Sequence, residues 1–414
     1  MRILVHDYSG HPFQIQLSRE LSRRGHDVLH VYSASFETPH GDLSLRADDS
    51  PMLGIEGVSI SEPIVKQGQS LLKRFRLERE YGEALVRRCS EYEPELLISA
   101  NTPSIVQRRL ADDCTRRGVT FFSWIQDLNG LAALKILRAK VPVIGGLVGK
   151  YLIHQDRMAL RASRGVVAIT EDFVPWIVES GLRRDQVHVI RNWATIDDVP
   201  VLSRDNAWSR EHNLTGEVRF LYSGTLALKQ NPRPLLELAR WLQESGKGRL
   251  MLVSQGAAVE WLKQQAAESG IQTLDVFGFQ PSNRFAEVLA SADVLVATLE
   301  ADAGAISVPS KVLSYLCAGR PLLLAVPTEN LSARIVCEAN AGFVVESDDV
   351  EGFLGAAKRL AGSPGLRAEF GSAGREYAER NFTISTIADR FENVLKLRVS
   401  RSFDKSDDQT PVRA

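Results

Sequence analysis

Short apolar runs alternate with amphipathic segments along most of the chain, and this alternation restricts the fold more than any other feature. The first example comprises an apolar run at 3–5, a loop at 8–12, a helical pattern and a second apolar run at 28–32. A strand, a glycine-containing loop, a helix and a strand within about thirty residues form a βαβ unit, which requires a parallel sheet. Such sheets bind ligands in the loop after the first strand. The loop 8–12 lacks the spacing GxGxxG, so a nicotinamide cofactor is not indicated.

The alternation continues in two blocks that are separated by a polar stretch at 195–214. We therefore predict an α/β protein with two Rossmann-like doubly wound domains that face a cleft. The predicted parts are a first domain at 1–198, a linker at 199–214, a second domain at 215–383 and a disordered tail at 399–414. We also expect a helix at 384–398 to pack back on the first domain.

Composition excludes several classes of protein. The formal net charge of 414 residues is −1, so no overall field attracts nucleic acid, and we expect no nucleic-acid partner. The four cysteines are scattered without the spacing of a metal site or a disulfide framework, which is typical of a reducing cytoplasm. No apolar stretch reaches the roughly 18 residues of a spanning helix. We expect a cytoplasmic chain that is at most peripheral on the inner membrane.

The stretch 303–321 has the pattern of an anion-binding loop at the start of a helix. Small residues lead into Pro309, which suits a first helical turn, and Gly319 with Pro321 ends the helix. A helix N-terminus presents unpaired N–H groups and a partial positive charge, which suits a phosphate. Ser310 adds a hydroxyl there. Lys311 adds a cation that fits the helix dipole badly unless an anion is bound, although an exposed lysine is the alternative.

Several motifs, taken in order, resemble those of the GT-B glycosyltransferases, in particular family 4 of the retaining enzymes and its colanic-acid and exopolysaccharide branch. The motifs are Arg24-Gly-His-Asp27, Gln126-Asp127, Val189-Ile-Arg-Asn-Trp193, Tyr222-Ser-Gly224, Gly278-Phe-Gln-Pro281 and Val308-Pro-Ser-Lys311. The resemblance implies a hexosyltransferase-type enzyme, independent of metal and of any cofactor, that uses a UDP- or GDP-linked sugar as co-substrate. It also implies front-face displacement without an enzyme nucleophile.

The chain departs from this family at four positions. Many relatives carry two glutamates around the donor loop, where this chain has Ile306 and Ser314. After the Ser-Gly pair, where relatives usually have an arginine, this chain has Thr225. Before Asp127, where they usually have a histidine, it has Gln126. These departures affect individual sites more than the reaction class.

The resemblance places the donor in the second domain. Lys229 follows Gly224 in the first strand-loop of that domain, at the family's position for a phosphate lysine, and we predict it to be catalytic. The other predicted donor-binding residues are Gly10, Gly224, Thr225, Gly278, Phe279, Glu300, Gly304, Ser307, Ser310, Lys311 and Ser314. Each has an ordinary alternative: a solvated lysine or acid, a flexible loop, or core packing for Phe279.

Two further residues, in the first domain, are predicted to be catalytic. His11 lies with Gly10 in the first βα loop, where it would face the reacting carbon; a surface histidine is the alternative. Asp127 follows a buried strand and could orient or deprotonate an acceptor hydroxyl. A helix N-cap or an Asx-turn explains the same aspartate equally well.

Two segments of the first domain combine cations with apolar residues. They lie at 66–88 and 131–152, and the second contains no acid. This composition fits a surface that contacts anionic lipid, and amphipathic core helices with a basic face are the alternative. A saccharide acceptor carried on a polyprenyl diphosphate is the corresponding hypothesis.

Two other functions remain compatible with the sequence. A sugar-nucleotide epimerase has the same two-domain fold, but it would need acid and base carboxylates and histidines in the cleft. A degenerate binding or scaffolding subunit would explain the missing glutamate pair. We expect no metal, because no cluster of histidine, cysteine and aspartate has metal-ligand spacing.

Overall fold

The computed structural model describes residues 1–37, 40–65, 69–214, 218–226, 230–301 and 310–403. The chain forms two compact units, one built from Met1–Asn192 with the chain from Ile384 onward and the other from Trp193–Thr383. No helix in the described ranges is long and apolar enough to cross a membrane.

The first unit is a parallel sheet covered by helices. Its strands are β1 (Arg2–Asp7), β2 (Asp27–Ser33), β3 (Leu53–Val58), β4 (Leu96–Ala100), β5 (Thr120–Ile125), β6 (Gly165–Ala168) and β7 (Val187–Val189), in the spatial order β3-β2-β1-β4-β5-β6-β7. Its helices are α1 (Pro12–Arg23), α2 (Leu71–Tyr92), α3 (Ser104–Arg117), α4 (Asn129–Lys140), α5 (Pro142–Ala162) and α6 (Val174–Glu179). Central strands are buried on both faces, which is why they are apolar without alternation.

The second unit repeats this architecture. Its strands are β8 (Val218–Ser223), β9 (Gly248–Val253), β10 (Leu274–Phe277), β11 (Val294–Thr298), β12 (Leu322–Ala325) and β13 (Gly342–Val345), in the order β10-β9-β8-β11-β12-β13. Its helices are α7 (Ala207–Glu211), α8 (Arg233–Ser245), α9 (Ala257–Glu268), α10 (Phe285–Ala290), α11 (Lys311–Cys317), α12 (Leu331–Glu338), α13 (Val350–Gly362) and α14 (Pro364–Asn381). All pairings in both sheets are parallel, so the prediction of two doubly wound α/β domains is confirmed.

The last helix, α15 (Ile384–Phe403), belongs to the first unit. Arg24 Nη1 donates to Glu392 Oε2 at 2.9 Å, and His26 Nε2 lies 2.8 Å from Glu392 Oε1. Phe391 is fully buried with its ring 4.9 Å from that of Trp124. The Arg-Gly-His motif after α1 therefore holds the C-terminal helix.

The boundaries differ from those predicted at three places. Residues 193–198, predicted as the end of the first domain, and residues 199–214, predicted as a linker, lie in the second unit. Trp208 is fully buried there, and its indole N–H donates to Gln280 at 3.0 Å. The helix predicted from Pro309 begins at Lys311. The final helix runs to Phe403, beyond the predicted end at 398, and the rest of the predicted tail lies outside the described residues.

Candidate active site

Strand β8 of the second unit lies at the point where the order of the strands reverses. The chain proceeds from β8 to β9 and β10 on one side of the sheet, and through β11 to β12 and β13 on the other. In open parallel sheets this switch point leaves a crevice outside the carboxyl ends of the strands, and ligands bind there. The loop after β8 and the start of α11 meet at this crevice.

Lys311 approaches the backbone of Gly224 in the loop after β8. A Cβ atom at Gly224 would lie 3.4 Å from both Cε and Nζ of Lys311. Gly224 also has a φ of +113°, which glycine adopts without strain. The residue type at 224 thus permits both the turn and the close approach of a cation to the end of the strand.

The ammonium group of Lys311 also lies over an aromatic ring. Its Nζ is 3.5 Å from the centroid of the Tyr222 ring. Tyr222 is fully buried, and its hydroxyl donates to the carbonyl oxygen of Thr225 at 3.0 Å, so the ring is fixed. A cation–π contact offsets part of the cost of a positive charge at a helix N-terminus. The half-buried Lys311 is therefore held in the crevice by its surroundings.

Tyr315 attaches α11 to β8. Its hydroxyl accepts a hydrogen bond from Ser223 N at 2.8 Å and donates one to Ser223 O at 3.0 Å. Burial of this side chain raises the pKa of Tyr315, so the hydroxyl keeps its proton. Because Tyr315 lies one helical turn after Lys311, this pair of bonds sets the position of the lysine. Sequence reasoning assigned no role to either tyrosine, although Tyr222 belongs to a quoted motif, since their partners lie far away in the chain.

A cavity of about 410 Å³ opens at the carboxyl ends of β9 and β10. Its lining includes Ser254, Gln255, Gly256, Glu260, Lys263 and Gly278. Ser254 Oγ donates to Gly224 O at 2.7 Å, which connects this cavity to the loop after β8 that Lys311 approaches. Phe279 next to it is 39% exposed and is therefore not a core residue. The volume is in the range of small-molecule sites and admits a heteroaromatic base.

The remaining donor candidates fall into two groups. Ser310 is the exposed N-cap of α11, Thr225 is exposed, Ser314 on α11 is half-buried, and half-buried Glu300 follows β11. Lys229, Gly304 and Ser307 lie outside the described residues, as does Ile306. Within the described ranges no three histidine, cysteine, aspartate or glutamate side chains form a group that could hold a metal ion.

In the first unit, the loop after β1 is organised by a buried aspartate that the sequence did not single out. Asp7 Oδ1 accepts from Ser9 N at 3.1 Å, and Oδ2 accepts from His11 N at 2.5 Å. His11 Nδ1 lies 3.5 Å from Asp7 Oδ1, and Gly10 between them has a φ of +67°. Burial acts to raise the pKa of Asp7, but the hydrogen bonds and charge of His11 lower it below its ordinary value. His11 is therefore a partly exposed residue placed by a fixed carboxylate.

Asp127 shares a small cavity with a second carboxyl group. Both Asp127 and Asp156 line a cavity of about 30 Å³ at the ends of β4 and β5, large enough for one water molecule. Asp156 Oδ2 accepts from Gly130 N at 2.8 Å, and burial raises the pKa of Asp156 to about 6. The N-cap of α4 is Leu128, so Asp127 does not cap that helix. Asp156 was missed because it lies within the apolar pattern of α5.

Comparison with known protein families matches most of the chain in two parts. The model for "Glycosyl transferase 4-like domain" covers residues 14–193, and the model for "Glycosyl transferases group 1" covers residues 205–377. The chain therefore belongs to the GT-B glycosyltransferases of the family 4 type, in agreement with the resemblance of its motifs.

One curated relative and two solved structures illustrate how similar this chain is to known proteins. The probable glycosyltransferase WbjE of Pseudomonas aeruginosa is 27% identical over 161 residues, a match that spans 39% of this chain and only 40% of WbjE. A sucrose-phosphate synthase from Thermosynechococcus elongatus has a TM-score of 0.75 at 15% identity, covering 97% of this chain and all of that one. HepE of Anabaena, solved with UDP-glucose, has a TM-score of 0.67 at 15% identity and covers 96% of this chain and 99% of that one. These two structures share the fold.

Proposed function

We propose that this protein is a retaining glycosyltransferase that moves a hexose-type sugar from a UDP- or GDP-linked donor to a saccharide acceptor. The observation that carries the proposal is the position of Lys311 against Gly224 at the switch point of a doubly wound sheet. A cation in a ligand crevice beside a 410 Å³ cavity suits a diphosphate with an attached base. HepE, which has the same fold, binds UDP-glucose, and this supports a nucleotide-sugar donor.

In the proposed reaction the bond between the anomeric carbon and the diphosphate oxygen breaks, the acceptor oxygen bonds to the same face of the sugar, and the acceptor hydroxyl proton passes to the departing diphosphate oxygen. Negative charge develops on the leaving diphosphate as the sugar becomes oxocarbenium-like. Lys311 stabilises this charge, and we assign the same role to Lys229, which follows Gly224 by five residues in the sequence. These cations do the work for which other transferases use a metal, so we propose a metal-independent enzyme without a cofactor.

The first unit supplies the acceptor side of the proposed reaction. Asp7 fixes the loop that carries His11, whose partly exposed ring is available to a bound sugar. Asp127 orients the acceptor hydroxyl, and Asp156 lines the same small cavity. A histidine and a carboxylate are suitable hydrogen-bonding partners for sugar hydroxyls.

We further propose that the acceptor is a polyprenyl-diphosphate-linked saccharide of bacterial exopolysaccharide or lipopolysaccharide synthesis, reached at the cytoplasmic surface of the inner membrane. Support comes from the first unit, which exposes apolar and basic side chains on neighbouring helices. A lipid-linked substrate requires the enzyme to work next to a membrane.

The test is calorimetric binding of a panel of UDP- and GDP-sugars, followed by mass spectrometry of the products. We expect one donor to bind and to be hydrolysed slowly without acceptor, and Lys311→Ala to weaken that binding. Interconversion of donor epimers would show a sugar-nucleotide epimerase instead. Failure of every donor to bind, with Lys311→Ala indistinguishable from wild type, would identify a scaffolding subunit.

A further inference from the structure

The helical hairpin of α4 and α5 carries large apolar side chains on its outer surface. Val143, Ile144 and Leu147 are 77%, 63% and 66% exposed, and Ile136 and Tyr151 are about half exposed. Single exposed apolar residues are normal in soluble proteins, but a contiguous group marks an interaction site. This group lies on two sequential helices that are connected at Val141.

The exposure follows from the way the two helices pack. A side chain at Gly145 would overlap the carbonyl oxygen of Leu137, and one at Gly149 would lie 2.5 Å from Leu134 Cα. Helix α5 therefore packs against α4 through these two glycines, one turn apart. Residues 143, 147 and 151 repeat at the same spacing on the opposite side of α5. The apolar stripe consequently points outward, away from the seam between the helices.

Helix α2 extends this surface. The Phe75 ring lies 6.4 Å from the Tyr151 ring, so the first turns of α2 are next to α5. Leu72 is one turn before Phe75 and is 86% exposed, the highest value among the large apolar residues described. We use the name docking face for Leu72, Ile136, Val143, Ile144, Leu147 and Tyr151.

On the helical hairpin, the charges beside the docking face all have one sign. Residues 128–155 contain no aspartate or glutamate, whereas Lys135, Arg138 and Lys150 are exposed beside the apolar side chains. Among the described residues, Arg138 and Lys150 have no carboxylate within ion-pairing distance. The basic residues of α2 differ, since Lys73 pairs with Glu62 and Arg74 with Glu78. Arg138 and Lys150 thus add uncompensated positive charge to the exposed apolar side chains of the hairpin.

We propose that the docking face binds the surface of an anionic lipid bilayer. Amphipathic helices with lysine and arginine beside exposed apolar residues lie in the headgroup region, with the apolar side buried and the cations on anionic headgroups. Protein interfaces, by contrast, are depleted in lysine. The fixed packing of α4 on α5 through glycine keeps the apolar stripe exposed before any lipid is present.

The experiment is flotation of the full-length protein with vesicles of phosphatidylcholine, with and without phosphatidylglycerol. We expect binding only to the vesicles that contain phosphatidylglycerol. Arg138→Gln with Lys150→Gln should weaken it about 25-fold, because each cation near such a surface contributes about fivefold. Val143→Ser with Leu147→Ser should weaken it by about tenfold or more, and both pairs should leave the thermal unfolding temperature unchanged because the side chains are exposed.

Matched controls use exposed residues outside the docking face. Arg87→Gln with Lys358→Gln removes the same two charges, and Leu45→Ser removes an apolar side chain that is 62% exposed. Controls that bind like wild type support the proposal. Equal losses of vesicle binding in the controls and the docking-face variants would overturn it. Failure of the wild-type protein to bind anionic vesicles would overturn it as well. A dimer in light scattering that Val143→Ser with Leu147→Ser dissociates, without vesicle binding, would assign the face to a second copy. The assay needs no donor, so its result is independent of the donor panel.

Discussion

Lys311 Nζ lies 3.5 Å from the centroid of the Tyr222 ring. Tyr315, one turn further along the same helix, is hydrogen-bonded to the backbone of Ser223, which directly follows Tyr222 in the strand. The lysine is thus placed by two aromatic residues that belong to different elements. A cation held in this way needs little reorganisation when an anion arrives, and such preorganisation strengthens binding.

Replacement of Lys311 by alanine should therefore weaken the affinity for the nucleoside diphosphate by about 10- to 100-fold. The loss corresponds to about 1.5–3 kcal/mol for a hydrogen bond that involves charged groups. Calorimetry with UDP and GDP measures it, and exposed Lys358→Ala in the same unit is the control. Equal affinities for the two variants would contradict the assignment of Lys311.

Gly224→Ala should reduce both stability and diphosphate affinity. A φ of +113° is strained for alanine, and the added methyl carbon would lie 3.4 Å from Lys311. We expect a loss of about 1 kcal/mol or more, which lowers the unfolding temperature by about 2–4 °C in a unit of this size. Gly355→Ala, where a Cβ meets nothing within 4 Å, serves as the control. A variant at 224 that binds and unfolds like wild type would argue against this close approach.

Asp7→Asn should destabilise the first unit by about 1–3 kcal/mol at neutral pH. The carboxylate accepts from two backbone N–H groups, and an amide leaves one buried donor unpaired. Because the folded-state pKa of Asp7 is below the ordinary value, its contribution is complete above 3.8 and is lost as the pH falls through the folded-state pKa. Urea unfolding should show the two proteins converging in acid. A difference that grows in acid would contradict this assignment.

Asp156→Asn should stabilise the first unit above pH 6, whereas Asp7→Asn destabilises it. Burial raises the pKa of Asp156 to about 6, so the folded protein binds more protons than the unfolded chain between 3.8 and that value. The stability that this group contributes is present below 3.8 and is lost as the pH rises through about 6. We expect the asparagine variant to gain about 2–3 kcal/mol relative to wild type across this range, measured by urea unfolding. A constant difference from pH 4 to pH 7 would contradict a raised pKa of Asp156.

Sugar transfer should be insensitive to EDTA, because the proposed site stabilises the leaving diphosphate with Lys311 and Lys229. Initial rates with and without chelator measure this directly. Loss of transfer in EDTA and its recovery with Mg²⁺ or Mn²⁺ would require a metal in the donor site.

Periodicity alone predicted both sheets, since strands that are buried on two faces give continuous apolar runs. Strand β3 escaped notice because its residues are mostly half-exposed and include Gly54 and Gly57. The break between α4 and α5 was also not predicted, although Pro142, the first residue of α5, marks it.

Contacts between distant residues could not be predicted in the same way. Lys311 and Gly224 were each singled out from their own loops, but their proximity depends on the strand order, which local patterns do not specify. Asp7 looked like the polar end of an apolar run. Its role depends on loop geometry, because Gly10 bends the backbone so that the amide of His11 returns to the carboxylate.

The return of α15 to the first unit has a consequence for biosynthesis. Phe391 packs against Trp124, and the Glu392 carboxylate pairs with Arg24 and His26. The first unit therefore lacks part of its core until the last helix leaves the ribosome. Domains usually fold in the order of synthesis, but here the second unit is translated completely before the first can be finished. A ribosome that stops before residue 384 would release a first unit with an open apolar surface, which is a substrate for chaperones and proteases.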